Sequence, residues 1–293
     1  MTQAYMTEPL HVEGTSRFVS TSNAEIHFNY VDGPQDAVPL IFTHGGGPGA
    51  TSWNNFLYNA RALSAGRRCY FLDLPQYGQS SMTPINGPIF TKQAQTISDF
   101  MDAMKIESAH FVNQSYGGGA AIVLAASQPT KVASLILISC QPIFGGVVAP
   151  TAIVMKRSAG IVSDYYLNTG GPSIEKMRTL LSDLEYRDAS RLTDLTVQLR
   201  YQASLNPALI KLVQTPGANG EFESLMHLFP QVKAPALILC GAYDWFGGPD
   251  VGLLMLNQFQ NARLLVISDA GHHPQSELPK EFNAHALAFL NNQ

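Results

Sequence analysis

Six short apolar runs recur along this 293-residue chain, and segments of helical composition separate them. The runs show little alternation between polar and apolar residues, which is typical of strands buried on both faces of a parallel sheet. These strands are predicted at Pro39–Phe42, Cys69–Asp73, Ala109–Val112, Leu135–Ser139, Ala236–Cys240 and Arg263–Ile267. Their alternation with helical segments predicts an α/β fold with an open, mostly parallel central sheet and right-handed crossovers.

Helices and an N-terminal hairpin complete this expected sheet. Ahead of the first apolar run, the segments SRFVSTSN and AEIHFNYVDG alternate in polarity with a turn between them. Such a pattern predicts a pair of antiparallel strands. Helices are predicted at Trp53–Ala65, Thr91–Met104, Ser115–Ser127 and Pro279–Leu290.

The stretch 141–231 breaks the rhythm of strand and helix. It begins with a Gly- and Pro-containing loop and continues with helix-forming and charged residues, and no strand-like run is visible in it. The chain is long enough for roughly two domains. We therefore predict a core formed by residues 1–140 and 232–293, with residues 141–231 inserted as a helical cap, or lid.

The net charge limits the kinds of partner that this chain can bind, and the positions of its cysteines indicate its compartment. The 18 basic and 22 acidic residues leave a net charge of −4, which offers no electrostatic footprint for nucleic acid or an anionic membrane. No signal peptide and no apolar run long enough to span a bilayer is visible. Cys69, Cys140 and Cys240 lie in or beside apolar runs, which predicts buried free thiols in a reducing compartment. We expect a cytoplasmic protein that acts on a small molecule, without nucleic acid or membrane partners.

Ser115 occupies the turn in the segment HFVNQSYGGGAA, directly after a predicted strand and before a helix of small residues. A serine at such a turn is held in a tight conformation at a helix N-terminus, whose dipole favours developing negative charge. Gly117 and Gly118 allow the helix and the strand to approach closely. Asn113 replaces the first glycine of the usual G-x-S-x-G pattern, and asparagine tolerates unusual backbone angles. The segment predicts Ser115 as a nucleophile.

A serine nucleophile needs a base, and the base needs an acid to orient it. Asp244 follows the predicted strand ALILC, and His272 follows the next strand, RLLVI. Ser, Asp, His is the chain order expected for this architecture, and loops at the carboxyl ends of parallel strands share one ligand-binding edge. We predict Ser115, Asp244 and His272 as a catalytic triad. Alternatives are Asp250 or Asp269 as the acid and His273 as the base.

The glycine-rich segment HGGGPGATSWNN, after the first parallel strand, predicts an oxyanion hole. Glycines let backbone N–H groups point at a ligand oxygen without obstruction, and the expected donors are the amides of Gly46 and Tyr116. The segment lacks the patterns of phosphate-binding loops. The adjacent pair His272 and His273 lacks the spacing and partners of familiar zinc sites. No metal and no other cofactor is predicted.

With these motifs the chain resembles the α/β-hydrolases, from about residue 15 to its C-terminus. The run HGGGPGA resembles that of the meta-cleavage product hydrolases, which break a carbon–carbon bond in ring-opened aromatic compounds. Asn55 matches an asparagine that follows this run in that family, and Arg200, in RDASRLTDLTVQLRYQAS, matches a cap-domain arginine. The chain has N-Q-S-Y-G where the family has G-N-S-[MF]-G, and G-H-H where it has G-H-W.

The resemblance implies hydrolysis of a vinylogous diketone, a 2-hydroxy-6-oxo-dienoate. It also implies that Arg200, with Asn55 and Gln114, holds the dienoate end, since a guanidinium pairs well with a carboxylate. Gln114 and His273 replace the family's pocket-lining asparagine and tryptophan, so these departures bear on the substrate. The substrate-binding residues expected on this basis are Gly45, Asn55, Gln114, Arg200 and His273.

Two other functions fit the same residues. One is a carboxylesterase or lactonase that uses the same triad. The other is a ligand-binding protein that keeps the geometry of the triad without turnover. Members of the family are often dimers or larger, so the resemblance also implies a possible homo-oligomer.

Overall fold

The computed structural model describes residues 7–140, 160–168 and 170–293. Its strands are β1 (Ser16–Ser20), β2 (Glu25–Val31), β3 (Leu40–Thr43), β4 (Cys69–Leu72), β5 (Ile85–Pro88), β6 (Ala109–Gln114), β7 (Val132–Ile138), β8 (Asn219–Glu221), β9 (Ala236–Gly241) and β10 (Ala262–Ile267). Eight of them form one sheet in the order β1-β2-β4-β3-β6-β7-β9-β10. The strands from β4 to β10 in that order are parallel, whereas β1 and β2 are antiparallel to their neighbours. The predicted α/β architecture and its N-terminal hairpin are confirmed.

Helices flank the sheet on both faces. They are α1 (Ser52–Asn55), α2 (Ala60–Ser64), α3 (Ile89–Ala103), α4 (Tyr116–Ser127), α5 (Ile174–Leu180), α6 (Asp194–Ser204), α7 (Pro207–Val213), α8 (Pro249–Gln258), α9 (Pro274–Glu277) and α10 (Pro279–Leu290). Residues 160–167 are also helical, and a π-helical turn spans Leu181–Glu185. Among the described residues, no helix has the length and apolar character that crossing a membrane requires.

The central strands are mainly apolar because each face of the sheet packs on its own hydrophobic cluster. On β3, the side chain of Ile41 belongs to one cluster and that of Phe42 to the other. On β6, Phe111 and Val112 divide in the same way. A strand with helices on both faces has no solvent-facing position for a polar residue, and all six predicted parallel strands are confirmed.

One predicted helix is wrong in form. The segment Trp53–Ala65 folds as two short helices, α1 and α2. The reason is that the side chains of Asn55, in α1, and Asn59, between the two helices, form hydrogen bonds with residues outside this segment. Asn55 accepts a hydrogen bond from the Gly45 amide, and Asn59 donates to Asn283. Asparagine has a low helix propensity, so these contacts decide the local conformation.

The predicted cap is helical for most of its described length, but the expectation that it holds no strand is wrong. β8 pairs in parallel with β5. Its three residues, Asn-Gly-Glu, carry no apolar pattern, so only the pairing defines the strand. Residues 141–159 of the predicted cap lie outside the described residues, and its division from the core stays a prediction. All three cysteines are buried and unpaired.

Candidate active site

Ser115 stands at the sharp turn that joins β6 to α4. Its backbone has φ 47° and ψ −109°, a conformation that a non-glycine residue adopts only under strain. Its amide donates to the Ile138 carbonyl at 2.8 Å, which anchors the turn to the neighbouring strand. A Cβ at Gly117 would lie 2.3 Å from Thr43 Oγ1, so a glycine is needed for α4 to pass the sheet this closely. The strained turn presents Ser115 to a cavity at the carboxyl edge of the sheet.

His272 and Asp244 come together in the loops after β10 and β9. His272 Nδ1 lies 2.9 Å from Asp244 Oδ1, and both side chains are almost fully buried. The amides of Phe246 and Gly247 donate to the same oxygen at 2.8 and 3.2 Å. The acid is therefore fixed by the backbone of its own loop, and Ser115 and His272 face one cavity.

Burial and neighbouring charge shift the pKa values of His272 and Asp244 in opposite directions. Burial lowers the pKa of His272, but the charge and hydrogen bond of Asp244, with a smaller contribution from Glu185, raise it above its ordinary value. Burial raises the pKa of Asp244, yet His272, the Phe246 amide and the Ser139 hydroxyl hold it below its usual range. Asp244 is therefore ionised, and it stabilises a proton on His272, as a general base requires.

The alternative acids occupy different places. Asp250 is exposed in the first turn of α8, where it accepts a hydrogen bond from the Val251 amide. Asp269 is exposed and pairs with Arg191. Of the acids considered from sequence, the structure brings Asp244 to the histidine.

The glycine loop after β3 lines the same cavity as His272. The Gly45 amide donates to Asn55 Oδ1 at 3.1 Å, so Asn55 holds the loop in place. Gly46 packs against Tyr116, because a Cβ there would lie 3.3 Å from that side chain. The loop and the start of α4 are therefore adjacent, as an oxyanion hole made from the amides of Gly46 and Tyr116 requires.

A single cavity of about 330 Å³ contains all the predicted site residues except Asp244, which lies behind His272. One part of its lining is polar and comprises Gly45, Gly46, Gly47, Asn55, Gln114, Glu185, Arg200 and His273. The other part is mainly apolar and comprises Phe90, Tyr116, Val162, Leu180, Leu184, Phe222 and Phe246. The cavity can thus receive a molecule that carries both polar and apolar groups.

Arg200 lies in this cavity, on α6, but it already has a carboxylate partner. Its guanidinium forms two parallel hydrogen bonds with Glu185, at 3.0 and 3.1 Å, and its Nε donates to the Pro48 carbonyl. His273 Nε2 lies 2.9 Å from the same carboxylate. Burial raises the pKa of Glu185, but Arg200 and His273 outweigh it and hold that pKa far below its usual range. The polar end of the cavity therefore contains a buried, ionised Arg–Glu pair.

Glu185 was not identified from the sequence. It ends the π-helical turn Leu181–Glu185, in a segment whose helix-forming and charged residues predict helix without further detail. Its backbone carbonyl also accepts a hydrogen bond from the His272 amide at 2.8 Å, so this residue joins the predicted cap to the loop that carries His272. No sequence pattern around it indicates either contact.

Glu277 is a second residue that the sequence did not indicate. Its carboxylate accepts hydrogen bonds from the amides of Gly271, at 2.7 Å, and Arg187, at 2.8 Å. It thus fixes the backbone next to His272. Glu277 stands in the segment SELP, a few residues after the two histidines, and this closeness in sequence is the one feature that could have indicated its role. No group of three or more metal-ligating side chains is gathered anywhere in residues 7–140, 160–168 and 170–293.

Comparison with known proteins agrees with this geometry. A family model described as the alpha/beta hydrolase fold matches residues 38–279. A 2-hydroxy-6-oxononadienedioate/2-hydroxy-6-oxononatrienedioate hydrolase of Burkholderia vietnamiensis is 33% identical over 288 residues, covering 96% of this chain and 98% of that protein. A protein of the same name from Escherichia coli is 30% identical and covers 97% of this chain and 98% of its own length.

Solved structures show the same likeness. The meta-cleavage product hydrolase CumD of Pseudomonas fluorescens IP01 is 25% identical, with a TM-score of 0.77 over 94% of this chain and 97% of that one. An enol-lactonase of Burkholderia xenovorans LB400 shares the fold, with a TM-score of 0.73 over 94% of this chain and 100% of that one, at 18% identity.

The chain therefore belongs to the α/β-hydrolase-fold family, and it is a hydrolase. Within that family it belongs with the meta-cleavage product hydrolases, as its HGGGPGA run indicated.

Proposed function

We propose that this protein hydrolyses a carbon–carbon bond in a vinylogous diketone of the 2-hydroxy-6-oxo-dienoate type, formed by opening of an aromatic ring. The observation that carries the proposal is the strained turn that presents Ser115 to the cavity of His272, whose ring is hydrogen-bonded to the buried Asp244. The names of the full-length relatives support the choice of substrate class.

The chemistry follows from the position of each group. Ser115 transfers its proton to His272 and attacks the ketone, and the Gly46 and Tyr116 amides stabilise the resulting oxyanion. One such donor typically contributes about 3 kcal/mol in the transition state. The substrate reacts as its keto tautomer, in which the C2 ketone is conjugated with the C3–C4 double bond and C5 is saturated. The C5–C6 bond of the tetrahedral adduct then breaks, its electron pair enters this conjugated ketone, and His272 gives its proton to the oxygen of the resulting dienolate. Water hydrolyses the acyl-serine, with His272 again as the base.

The lining of the cavity favours one orientation of the substrate. The conjugated, oxygen-rich end of the substrate lies among the polar residues, and the group attached to the ketone lies among the aromatic and aliphatic residues. Among the described residues, no charged side chain lines the apolar part. An apolar group on the ketone is therefore favoured over one that ends in a second carboxylate.

The test compares a chromogenic phenyl-substituted dienoate with a p-nitrophenyl ester. The unaltered protein is expected to cleave the dienoate with the higher kcat/KM, and Ser115→Ala is expected to lose at least 1,000-fold of that value. Ser127→Ala, near the end of the same helix and away from the cavity, is the control and is expected to match the unaltered protein. Undiminished cleavage by Ser115→Ala would refute the serine mechanism, and a hundredfold preference for the ester would favour an esterase.

A further inference from the structure

The side chains at the polar end of the cavity carry no net charge by themselves. Arg200 and Glu185 are the two permanently charged side chains among the described lining residues, and they are buried and paired through two hydrogen bonds. Gln114 Oε1, which has no hydrogen-bond partner among the described residues, can accept from the 2-hydroxyl of a dienoate. The adjacent carboxylate then adds one negative charge to this end. Because a buried charge without a counter-charge is costly, a compensating positive charge is favoured when the substrate binds.

His273 can supply that charge. Its side chain is buried, and its Nε2 lies 2.9 Å from Glu185 Oε2. Around it also lie Arg200, the ring of His272 with 5.4 Å between centroids, and the stacked ring of Tyr186 with 6.1 Å. Burial lowers the pKa of His273, and His272 and Arg200 lower it further. Glu185 opposes them, but the net shift is downward, so in the protein alone the ring of His273 is neutral at neutral pH.

Gln275 can serve this ring in either protonation state. It is fully buried, its Nε2 lies 3.2 Å from His273 Nδ1, and its Oε1 has no hydrogen-bond partner among the described residues. When the ring carries its proton on Nε2, the Gln275 amide donates to Nδ1. A half-turn of that amide brings Oε1 to the same place, where it accepts from a protonated Nδ1. Glu277, on the same helix, directs its carboxylate to the amides of Gly271 and Arg187 instead. The ring can thus gain a proton without leaving a buried donor unpaired.

A ligand carboxylate favours the protonated state of this ring. The positive charges of Arg200 and His273 then balance the negative charges of Glu185 and the ligand. A second negative charge nearby raises the pKa of a histidine, so the pKa of His273 is higher with the carboxylate bound than in the protein alone. By linkage, the protein takes up a proton as the carboxylate binds, and its affinity falls as the pH rises between those two pKa values.

We propose that His273 takes up one proton from solvent, on Nδ1, when the carboxylate of the substrate enters the polar end, so that the protein binds the dienoate together with a proton. For the nature of the ligand, this rests on the proposed function, and it gives the carboxylate a second cationic partner beside Arg200. The tryptophan of the meta-cleavage product hydrolases at this position has a donor only and cannot take up a proton. The coupling therefore belongs to the histidine that this chain carries.

The test uses a ligand that does not itself titrate near neutral pH. The probe 6-oxo-6-phenylhexanoate has the carboxylate and the phenyl ketone of a phenyl-substituted dienoate, but it has no enol and no conjugated bonds that would allow cleavage, so the unaltered protein is used. Its uncharged match is 6-hydroxy-1-phenylhexan-1-one, in which a hydroxyl replaces the carboxylate. Isothermal titration calorimetry in PIPES and in ACES, two buffers with different ionisation enthalpies, gives the number of protons taken up on binding.

Binding of the carboxylate is expected to take up about 0.5 to 1 proton near pH 7, and its Kd is expected to rise about tenfold or more from pH 6 to 8. The alcohol is expected to take up fewer than about 0.2 protons, with a Kd constant within about twofold. His273→Gln is expected to abolish the uptake and to flatten the pH dependence for the carboxylate. His285→Gln, the same change at an exposed site on α10, is expected to leave both unchanged.

Binding of the carboxylate without proton uptake overturns the proposal, and so does its failure to bind at any pH from 6 to 8. Uptake that persists in His273→Gln also overturns it, because the proton then resides on another group, such as His272. The comparison of the two ligands needs no substitution, so it decides the matter even if His273→Gln fails to fold. Cleavage of the dienoate is assayed separately, and its failure counts against the proposed function while leaving the proton count as an independent result.

Discussion

Asp244→Asn removes the charge behind His272 while leaving a place for its hydrogen bonds. Three donors converge on Asp244 Oδ1, namely His272 Nδ1 and the amides of Phe246 and Gly247. An asparagine oxygen at the same point can accept from all three. The ring of His272 is therefore expected to keep its position, so the variant isolates the effect of the charge.

The size of that effect follows from the distance between the two side chains. Two unit charges 2.9 Å apart attract by about 6 kcal/mol at an effective dielectric constant of about 20. Part of this is retained by the amide dipole, so a loss of about 4–6 kcal/mol in the transition state, where His272 carries the proton, is expected. That loss corresponds to a fall in kcat/KM of about 1,000- to 25,000-fold.

The pH profile tests the same reasoning independently. Burial lowers the pKa of His272 and Asp244 raises it above its ordinary value of 6.5. Without the carboxylate, burial dominates and the pKa falls below that value. Since the base must be neutral to accept a proton, the acid limb of the kcat/KM profile is expected to move to lower pH.

The assay is steady-state cleavage of the phenyl-substituted dienoate from pH 5 to 9, with Asp250→Asn as the matched control. Asp250 is exposed and lies away from the histidine, so its variant is expected to retain activity within threefold. If Asp244→Asn kept more than a tenth of the activity, or if its acid limb stayed in place, the assignment of this residue as the orienting acid would be wrong.

Three further changes have defined outcomes. Gly47→Ala is expected to lower kcat/KM at least tenfold, because the new methyl group lies 2.8 Å from Arg200 Nη2; unchanged kinetics would contradict this. Gly117→Ala is expected to lower the free energy of unfolding by about 2–4 kcal/mol in urea titrations, since its Cβ overlaps Thr43. Burial raises the pKa of Glu277 from 4.5 to about 6, so the folded protein binds this proton more tightly than the unfolded chain. This carboxyl therefore adds stability below pH 4.5 that is lost as the pH rises through 6, up to about 2 kcal/mol. The difference in unfolding free energy between the unaltered protein and Glu277→Gln is expected to change by that amount between pH 4.5 and 7.5, and a constant difference would refute it.

The order of the elements and the catalytic candidates could be read from the sequence because each depends on local pattern. A strand buried on both faces is mainly apolar, so strands such as Ala236–Gly241 stand out. Small residues after Ser115 indicate the close passage of a helix over a strand. Asp244 and His272 follow such strands directly, and the parallel topology brings their loops to one edge.

Elements without a local pattern could not be found in this way. The β5–β8 pair joins segments about 130 residues apart in the chain, and neither alternates in polarity. Asn55 and Asn59 interrupt a segment of otherwise helical composition because their side chains bind partners from other parts of the fold. Such contacts exist only once distant segments have packed together.

Within the site, the candidate catalytic residues follow from local sequence patterns, whereas the charge that meets the substrate depends on tertiary contacts. The sequence by itself determined which residues can form the triad and the glycine loop, because residue type and position along a strand largely define those roles. It also placed Arg200 in the cap. Only the tertiary structure decided that Arg200 meets the carboxylate of Glu185, which the turn Leu181–Glu185 brings into the cavity. Charge in a binding site depends on the distance and burial of both partners, and no single residue carries that information.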